Sequence, residues 1–327
     1  MLKQISLLIL CAAAIVWFAT PVQACTSAVV SGKVTPDGRP LLWKNRDTDF
    51  MRNHVDYVKG EKYDFIAVVN SVNAYLKEAW MGTNSAGFAL MNTQSYNLVD
   101  VKGDEERGAA NGRVIYRALE VCATVEDFCH FLDTISKPSD IEANFGVIDA
   151  QGGAAMFEVD YYKYAMYDAN NPKDAPYGYI ARTNFSFAGK VNEGAGYVRY
   201  MEADQVLMKA SATGSITPQF IFNDLSRSFR NRMLDIDLRS GAYNRPQASG
   251  WFVDQDFIPR SSTSCSVVVQ GVKPGEKAEL TTMWTLLGYP PTGIAVPLWV
   301  KDAGKLLPGM VRFGKEHEAA PLSDWSL

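Results

Sequence analysis

Short apolar runs bounded by turn residues read as strands along most of this chain, and in two regions the apolar positions recur instead at the period of a helix. Cys25 to Ser31 and Leu41 to Asn45 read as two strands joined through the turn Pro36-Asp37-Gly38. Ile66 to Asn70, Lys77 to Gly82 and Gly87 to Gln94 read as three more, the last two linked by Asn84-Ser85-Ala86-Gly87. The period then changes. Val114, Ile115, Ala118, Leu119 and Cys122 fall on one helical face, and Val125, Phe128, Cys129 and Leu132 on the next. Thr124, with Asp127 three residues on, caps the second. Strands return at Asn144 to Ala150, Ala154 to Asp160 and Tyr177 to Asn184. Gly194 to Ala210 and Thr217 to Leu234 have helical spacing, and residues 235–262 carry no pattern and read as a long surface loop. Cys265 to Gln270, Leu280 to Leu286 and Thr292 to Val300 close the chain as strands. Helix pairs set between groups of antiparallel strands predict an α+β protein, with helix layers on both faces of two packed sheets.

The first 24 residues follow a different pattern. Lys3 precedes an apolar run from Ile5 to Ala19, and Pro21-Val22-Gln23-Ala24 places small residues where a signal peptidase reads. Cleavage after Ala24 is expected, leaving residues 25–327 as one domain that begins with Cys25. The protein is expected to be exported, to a periplasm or outside the cell. A mature Cys25 carries a free α-amine, of reference pKa ~8, beside its own thiol. Nucleophile and base then sit on one residue. Two other readings remain. A cysteine after a leader can be lipidated, although Gln23 fits that signal poorly and Thr26-Ser27-Ala28-Val29-Val30 is a strand rather than a tether. Export also permits a half-cystine.

Hydrophobic residues make up 47% of the chain and the formal net charge is −4, with no basic tract, which argues against a nucleic-acid partner. After the leader, no apolar stretch is long enough to span a bilayer. Cys122, Cys129 and Cys265 read as small core residues, and no Cys or His spacing suggests a metal site or calls for a cofactor. His54 lies in a charged loop, His130 beside Cys129 in a helix and His317 in a polar tail, so none favours a papain-like pairing with the cysteine. No repeat, linker or low-complexity segment divides the mature chain.

Several short segments, taken in order, resemble one enzyme group. Cys25-Thr26-Ser27, the Asp37-Gly38 turn and Lys44-Asn45-Arg46-Asp47 resemble the opening of the choloylglycine hydrolase and penicillin acyltransferase group of N-terminal nucleophile enzymes. Met81-Gly82-Thr83-Asn84-Ser85-Ala86-Gly87 is similar to the group's G-x-N-x-x-G turn, and Arg182-Thr183-Asn184-Phe185 to its Thr-Asn strand end. Gly196-Tyr197-Val198-Arg199-Tyr200, Trp284 to Gly288 and Ala295-Val296-Pro297-Leu298 are similar to its later helix and closing strands. The resemblance implies a four-layer αββα sandwich with mainly antiparallel sheets.

It also implies roles. Cys25 is the nucleophile and its α-amine the base. Asp47 corresponds to the group's aspartate near the nucleophile, though Arg46-Asp47-Thr48-Asp49 can equally be a solvated ion-pair cluster. Bile-salt hydrolases carry arginine three residues before that aspartate, where this chain has Lys44; Lys44 or Arg46 can supply the charge, but lysine lacks the two-pronged fork. Asn184 is the first candidate for an oxyanion donor and Asn92 the second. Their plainer readings are a turn asparagine and an outward-facing strand residue. Arg199 either braces the site or lies on the surface. Tyr161-Tyr162-Lys163-Tyr164, Trp43 and Trp80 either line a pocket or pack within strands.

The expected activity is hydrolysis of a linear carbon–nitrogen amide in a small N-acyl substrate, through a thioester on Cys25. Acyl transfer to another amine and dipeptide cleavage are the alternatives. A lipid-anchored binding protein is the non-enzymatic one. A homo-oligomer is compatible with all of them.

Overall fold

The computed structural model describes residues 24–72, 76–99, 108–240, 256–314 and 319–327. The signal-peptide expectation for residues 1–24 therefore lies almost wholly outside the described residues, as does His317. Among the described residues, fifteen strands run in chain order as β1 (Thr26–Val30), β2 (Leu41–Asp47), β3 (Asn53–Val58), β4 (Phe65–Asn70), β5 (Met81–Asn84), β6 (Ala89–Gln94), β7 (Ala143–Ile148), β8 (Ala154–Val159), β9 (Tyr164–Asp168), β10 (Tyr179–Arg182), β11 (Arg230–Asn231), β12 (Ile236–Asp237), β13 (Thr263–Gln270), β14 (Thr282–Leu287) and β15 (Ala295–Leu298). The main helices are α1 (Asn111–Val121), α2 (Val125–Thr134) and α3 (Tyr197–Ala212); α4 (Pro218–Phe220), α5 (Ala303–Leu306) and α6 (Pro321–Ser326) are short.

One six-stranded sheet has the order β10-β1-β2-β13-β14-β15, and a seven-stranded meander runs from β3 to β9. All the pairings in both are antiparallel. Side-chain alternation on a strand gives each sheet two buried faces. Val29, Leu42, Val267 and Met283 of the first sheet meet Ile66, Val68, Met91 and Met156 of the second in the central layer. On the outer face of the meander, Phe65, Leu90, Phe145 and Phe157 receive Ile115 and Leu119 of α1 and Phe128 and Leu132 of α2. On the outer face of the first sheet, Ala28, Trp43, Ala181 and Val268 receive Ala203 and Leu207 of α3, with Ile221 and Leu225 after α4. This is the αββα order predicted from the pattern. Thr124 caps α2 as expected, its hydroxyl accepting from Asp127 N while the Asp127 carboxylate accepts from Thr124 N.

The pattern misled in four places. His54 is not in a loop but in β3, buried, its Nδ1 3.1 Å from Ser71 Oγ and its ring 4.8 Å from Phe313. The edge that β3 forms is covered by chain from the far C-terminus: Val55 N donates to Val311 O and Ala320 N to Asn53 O. No local pattern shows that cover. Helix after Thr217 stops early. α4 passes into a π turn over Ile221–Leu225, and Ser226 ends it by donating from Oγ to Asn45 Oδ1, with Ser266 Oγ on the sheet also 2.8 Å from that hydroxyl. Anchorage of a buried polar group overrode the apolar spacing. Within the stretch read as a surface loop, Phe257 and Ile258 are buried and Ile236–Asp237 pairs with Arg230–Asn231. Finally, Tyr161 and Tyr162 lie in the turn after β8, Tyr162 is exposed, and Tyr164 packs into the helix-side core of the meander. That aromatic run does not line a pocket beside Cys25.

Candidate active site

Cys25 stands one residue ahead of the Thr26–Asn45 pair at the open end of the β1–β2 hairpin. It is buried and held at three atoms. Its N–H donates to Asn184 Oδ1 at 2.9 Å, its carbonyl accepts from Arg199 Nη1 at 2.6 Å, and its Sγ is 3.8 Å from Asp47 O. Strand pairing makes this convergence: β10 lies against β1 on one side and β2 on the other, so Asn184 and Asp47 flank the cysteine from opposite neighbours.

Arg199 is the hub. It is buried near the start of α3 and also donates from Nη1 to Thr26 Oγ1, from Nη2 to Asn184 Oδ1 and from Nε to Asp256 Oδ1, each at 2.9 Å. The surface reading of Arg199 is excluded. Gly196, just before α3, has φ +83, and a Cβ there would run into the Arg199 guanidinium. Glycine at this position therefore leaves room for the arginine to fold back onto Cys25.

Asn184 leaves β10 in an isolated bridge with Ala195. Its Oδ1 accepts from both Cys25 and Arg199, while its Nδ2 donates to Gln94 O at 2.8 Å. The oxygen of the side chain faces the Cys25 nitrogen, and the nitrogen is bonded to Gln94. Asn84 of the glycine turn is structural. Its Oδ1 accepts from Ala86 N and Phe88 N, and its Nδ2 donates to Leu119 O and Cys122 O at the end of α1.

Asp47 is buried at the end of β2, so the solvated ion-pair reading fails. Thr263 Oγ1 donates to its Oδ1, and its Oδ2 has no hydrogen-bond partner among the described residues. Burial pushes the carboxyl up to about 7, against the pull of the Arg199 charge and the Thr263 hydrogen bond.

The two basic residues of β2 divide the work. Arg46 donates to Asn53 Oδ1 and to Asn70 Oδ1 at 2.8 Å, and its guanidinium lies 4.6 Å from the Trp80 ring centroid, so it ties β2 to β3 and β4. Burial lowers it to about 10. Lys44 crosses to the meander instead. Its Nζ donates to Asn92 Oδ1 at 2.9 Å and Trp80 O at 3.1 Å. Burial lowers it to about 8, although the neighbouring Cys25 thiol favours its charge. Asn92 is buried and its Nδ2 makes no hydrogen bond among the described residues.

Sequence reasoning named Cys25, Lys44, Asp47, Asn184 and Arg199, and these do converge, with Asn92 joined to them through Lys44. It missed Thr263, Asp256 and Gln94. Thr263 sits in a plain polar run, Asp256 in the stretch without a pattern, and Gln94 acts through its backbone, so none left a signal. The four described cysteines are free. Cys265 pairs with Arg46 across β13 and β2, and burial pushes its thiol up to about 11. His130 is exposed on α2. No group of three metal-ligating side chains occurs among the described residues, and no described helix is long and apolar enough to cross a membrane.

Residues 34–210, the span that holds Lys44, Asp47, Asn92, Asn184 and Arg199, match the family model described as acyl-coenzyme A:6-aminopenicillanic acid acyl-transferase. The chain belongs to this family. It is thus an amide hydrolase or acyltransferase of the N-terminal nucleophile type. Cys25 itself lies outside the matched span. A comparison with curated proteins found no match. Among solved structures, penicillin V acylase from Agrobacterium tumefaciens is similar at 15% identity and TM-score 0.46, over 84% of this chain and 86% of that one. A variant of the conjugated bile acid hydrolase from Clostridium perfringens is similar at 13% identity and TM-score 0.48, over 84% and 92%. An N-acylethanolamine-hydrolyzing acid amidase ortholog from Caenorhabditis elegans is similar at 18% identity and TM-score 0.41, over 62% and 89%.

Proposed function

We propose that the mature protein is an exported cysteine amidohydrolase that begins at Cys25 and cleaves a linear N-acyl amide. One observation carries this reading: a buried carboxylate oxygen, Asp47 Oδ2, lacks a partner among the described residues beside a cysteine whose nitrogen, carbonyl and sulfur are all held. While Cys25 is bonded to Ala24, its nitrogen has one hydrogen, and Asn184 takes it. An α-ammonium has three, enough for Asn184 Oδ1 and for an acidic neighbour. Such a partner would offset the cost of burying the Asp47 charge.

In the reaction the α-amine takes the thiol proton and Sγ bonds to the amide carbonyl carbon. The carbonyl oxygen becomes an oxyanion. Collapse breaks the carbon–nitrogen bond, and the ammonium gives its proton to the leaving amine. Water then attacks the thioester and loses a proton to the Cys25 α-amine; the carbon–sulfur bond breaks, the acid leaves, and the thiolate takes that proton back to restore the thiol. Arg199 and Asn184 orient the nitrogen. Asn92 donates from Nδ2 to the oxyanion, because its oxygen is occupied by Lys44 and its amide hydrogens have no other partner among the described residues. The family match favours a second reading, in which an amine rather than water accepts the acyl group.

Intact-mass analysis of the exported protein, followed by turnover of an N-acyl amide panel, tests the proposal. A mass that begins at Cys25 with a free amine, together with release of acid and amine, is expected. A diacylglyceryl adduct on Cys25 overturns it in favour of a lipid anchor. Acyl transfer outrunning hydrolysis when an amine acceptor is added selects the second reading.

A further inference from the structure

We infer that Lys44 is the positioning residue that fixes which way the Asn92 amide faces, an inference that rests on the proposed oxyanion role of Asn92. An ammonium has donors and no acceptor. With Lys44 Nζ 2.9 Å from it, the Asn92 oxygen must face the lysine and the NH2 group must face away. A flipped amide would set its NH2 against the ammonium. The backbone does not settle this orientation: Asn92 pairs with Phe145 of β7, and a strand ladder leaves a side-chain amide free to turn over, while the pairing of β5 with β6 ends at Met81–Met91, one residue short of Asn92. Lys44 occupies that end of the ladder, giving a second hydrogen bond to Trp80 O at 3.1 Å.

The charge has an effect of its own. A charge-assisted bond to the amide oxygen polarises the amide and makes Nδ2–H a stronger donor. Arg46 cannot take over, since its guanidinium is committed to Asn53, Asn70 and the Trp80 ring. The titratable groups that face Lys44 are Cys25 ahead of β1, Arg46 and Asp47 on β2 and Cys265 on β13; Asn92 on β6 and Trp80 before β5 are uncharged. Burial brings the Lys44 ammonium to about 8, within reach of an ordinary pH titration. Once it loses its proton, the neutral amine has a lone pair and can accept. A flipped Asn92 then becomes tolerable and the orientation is no longer enforced.

The test is a double-mutant cycle on kcat and KM of one hydrolysed N-acyl amide, using the mature protein. Asn92→Ala is expected to lower kcat ~10²–10³-fold, the usual cost of one oxyanion donor. Lys44→Met is expected to lower kcat about tenfold or more with KM nearly unchanged, because an interaction made only in the transition state is lost. The double variant should be no slower than Asn92→Ala alone. If both effects multiply in the double variant, Lys44 acts on the thiol directly and the inference falls. Parental kcat in Lys44→Met, beside a slow Asn92→Ala, overturns the Lys44 role alone. Parental kcat in Asn92→Ala overturns the oxyanion reading beneath it. Lys44→Arg keeps a cation that does not titrate in this range. It should retain most of the rate and move the alkaline limb above about pH 8. An unmoved limb counts against the inference, and this variant carries the test alone if circular dichroism shows Lys44→Met misfolded.

Discussion

Truncating Asn184 should damage stability as well as catalysis, and a carboxylate in its place should repair much of the damage. Its hydrogen bonds in the buried cluster include these: it accepts from Cys25 N and Arg199 Nη2 and donates to Gln94 O. A neutral buried hydrogen bond contributes about 1 kcal/mol and one to a charged group about 1.5–3 kcal/mol, and partners left behind carry a desolvation cost. Asn184→Ala should therefore lower the unfolding free energy by about 4 kcal/mol, a large share of the roughly 5–15 kcal/mol available to a domain. Asn184→Asp keeps the acceptor for Cys25 and places a charge opposite Arg199, but it loses the donation to Gln94 and sets an oxygen against that carbonyl. Its stability should fall by about 2 kcal/mol. Urea unfolding, with turnover measured on the folded fraction of each variant, reads both quantities. Turnover should follow the same order, with Asp above Ala, since an acceptor suffices to orient the cysteine nitrogen. An Ala variant within about 1 kcal/mol of the parent, or an Asp variant that unfolds before Ala, would refute the reasoning. A stable Asp variant whose turnover drops as far as Ala would return the oxyanion role to Asn184.

Other outcomes follow from the same geometry. Cys25→Ala should abolish turnover and leave the fold intact by circular dichroism, and Cys25→Ser should lose most of it, the hydroxyl being far less acidic than the thiol; full activity in Cys25→Ala ends the mechanism. A form with a stable Met ahead of Cys25 should be inactive until trimmed, because its blocked nitrogen cannot accept the thiol proton, and equal turnover by both forms would point to another base. Gly196→Ala should cost about 1–3 kcal/mol in urea unfolding and lower kcat, because the new methyl meets the Arg199 guanidinium at a backbone angle of φ +83. Asp47 has a carboxyl raised above its unfolded value, so its contribution to stability is complete below about pH 4 and disappears as pH rises through about 7. In a leader-retaining protein the urea midpoint should fall across that window, and Asp47→Asn should flatten the fall; an unchanged slope would mean the carboxyl is not buried uncharged.

The layer order could be read from the sequence because it depends on local periodicity. Ala28, Val29 and Val30 are apolar on both sides of one strand, which calls for cover on both faces, and Phe128 and Leu132 recur at helical spacing on the single face that a helix buries. Cys25, Asp47 and Asn184 were legible through short motifs that sit at strand ends. What the sequence could not supply was the bonding among them, which joins residues far apart in the chain: Cys25 to Asn184, Asp47 to Thr263, Lys44 to Asn92. Hydrogen bonds depend on distance and direction over a few ångströms, and only the stacking of the two sheets sets those. The same holds for β3, buried by a segment from the opposite end of the chain, and for the helix that Ser226 ends by turning into the sheet. The basic pair on β2 shows the division most plainly. Lys44 and Arg46 differ little as sequence, but tertiary packing commits Arg46 to neighbouring strands and leads Lys44 to the amide of Asn92, which decides which charge bears on the candidate chemistry.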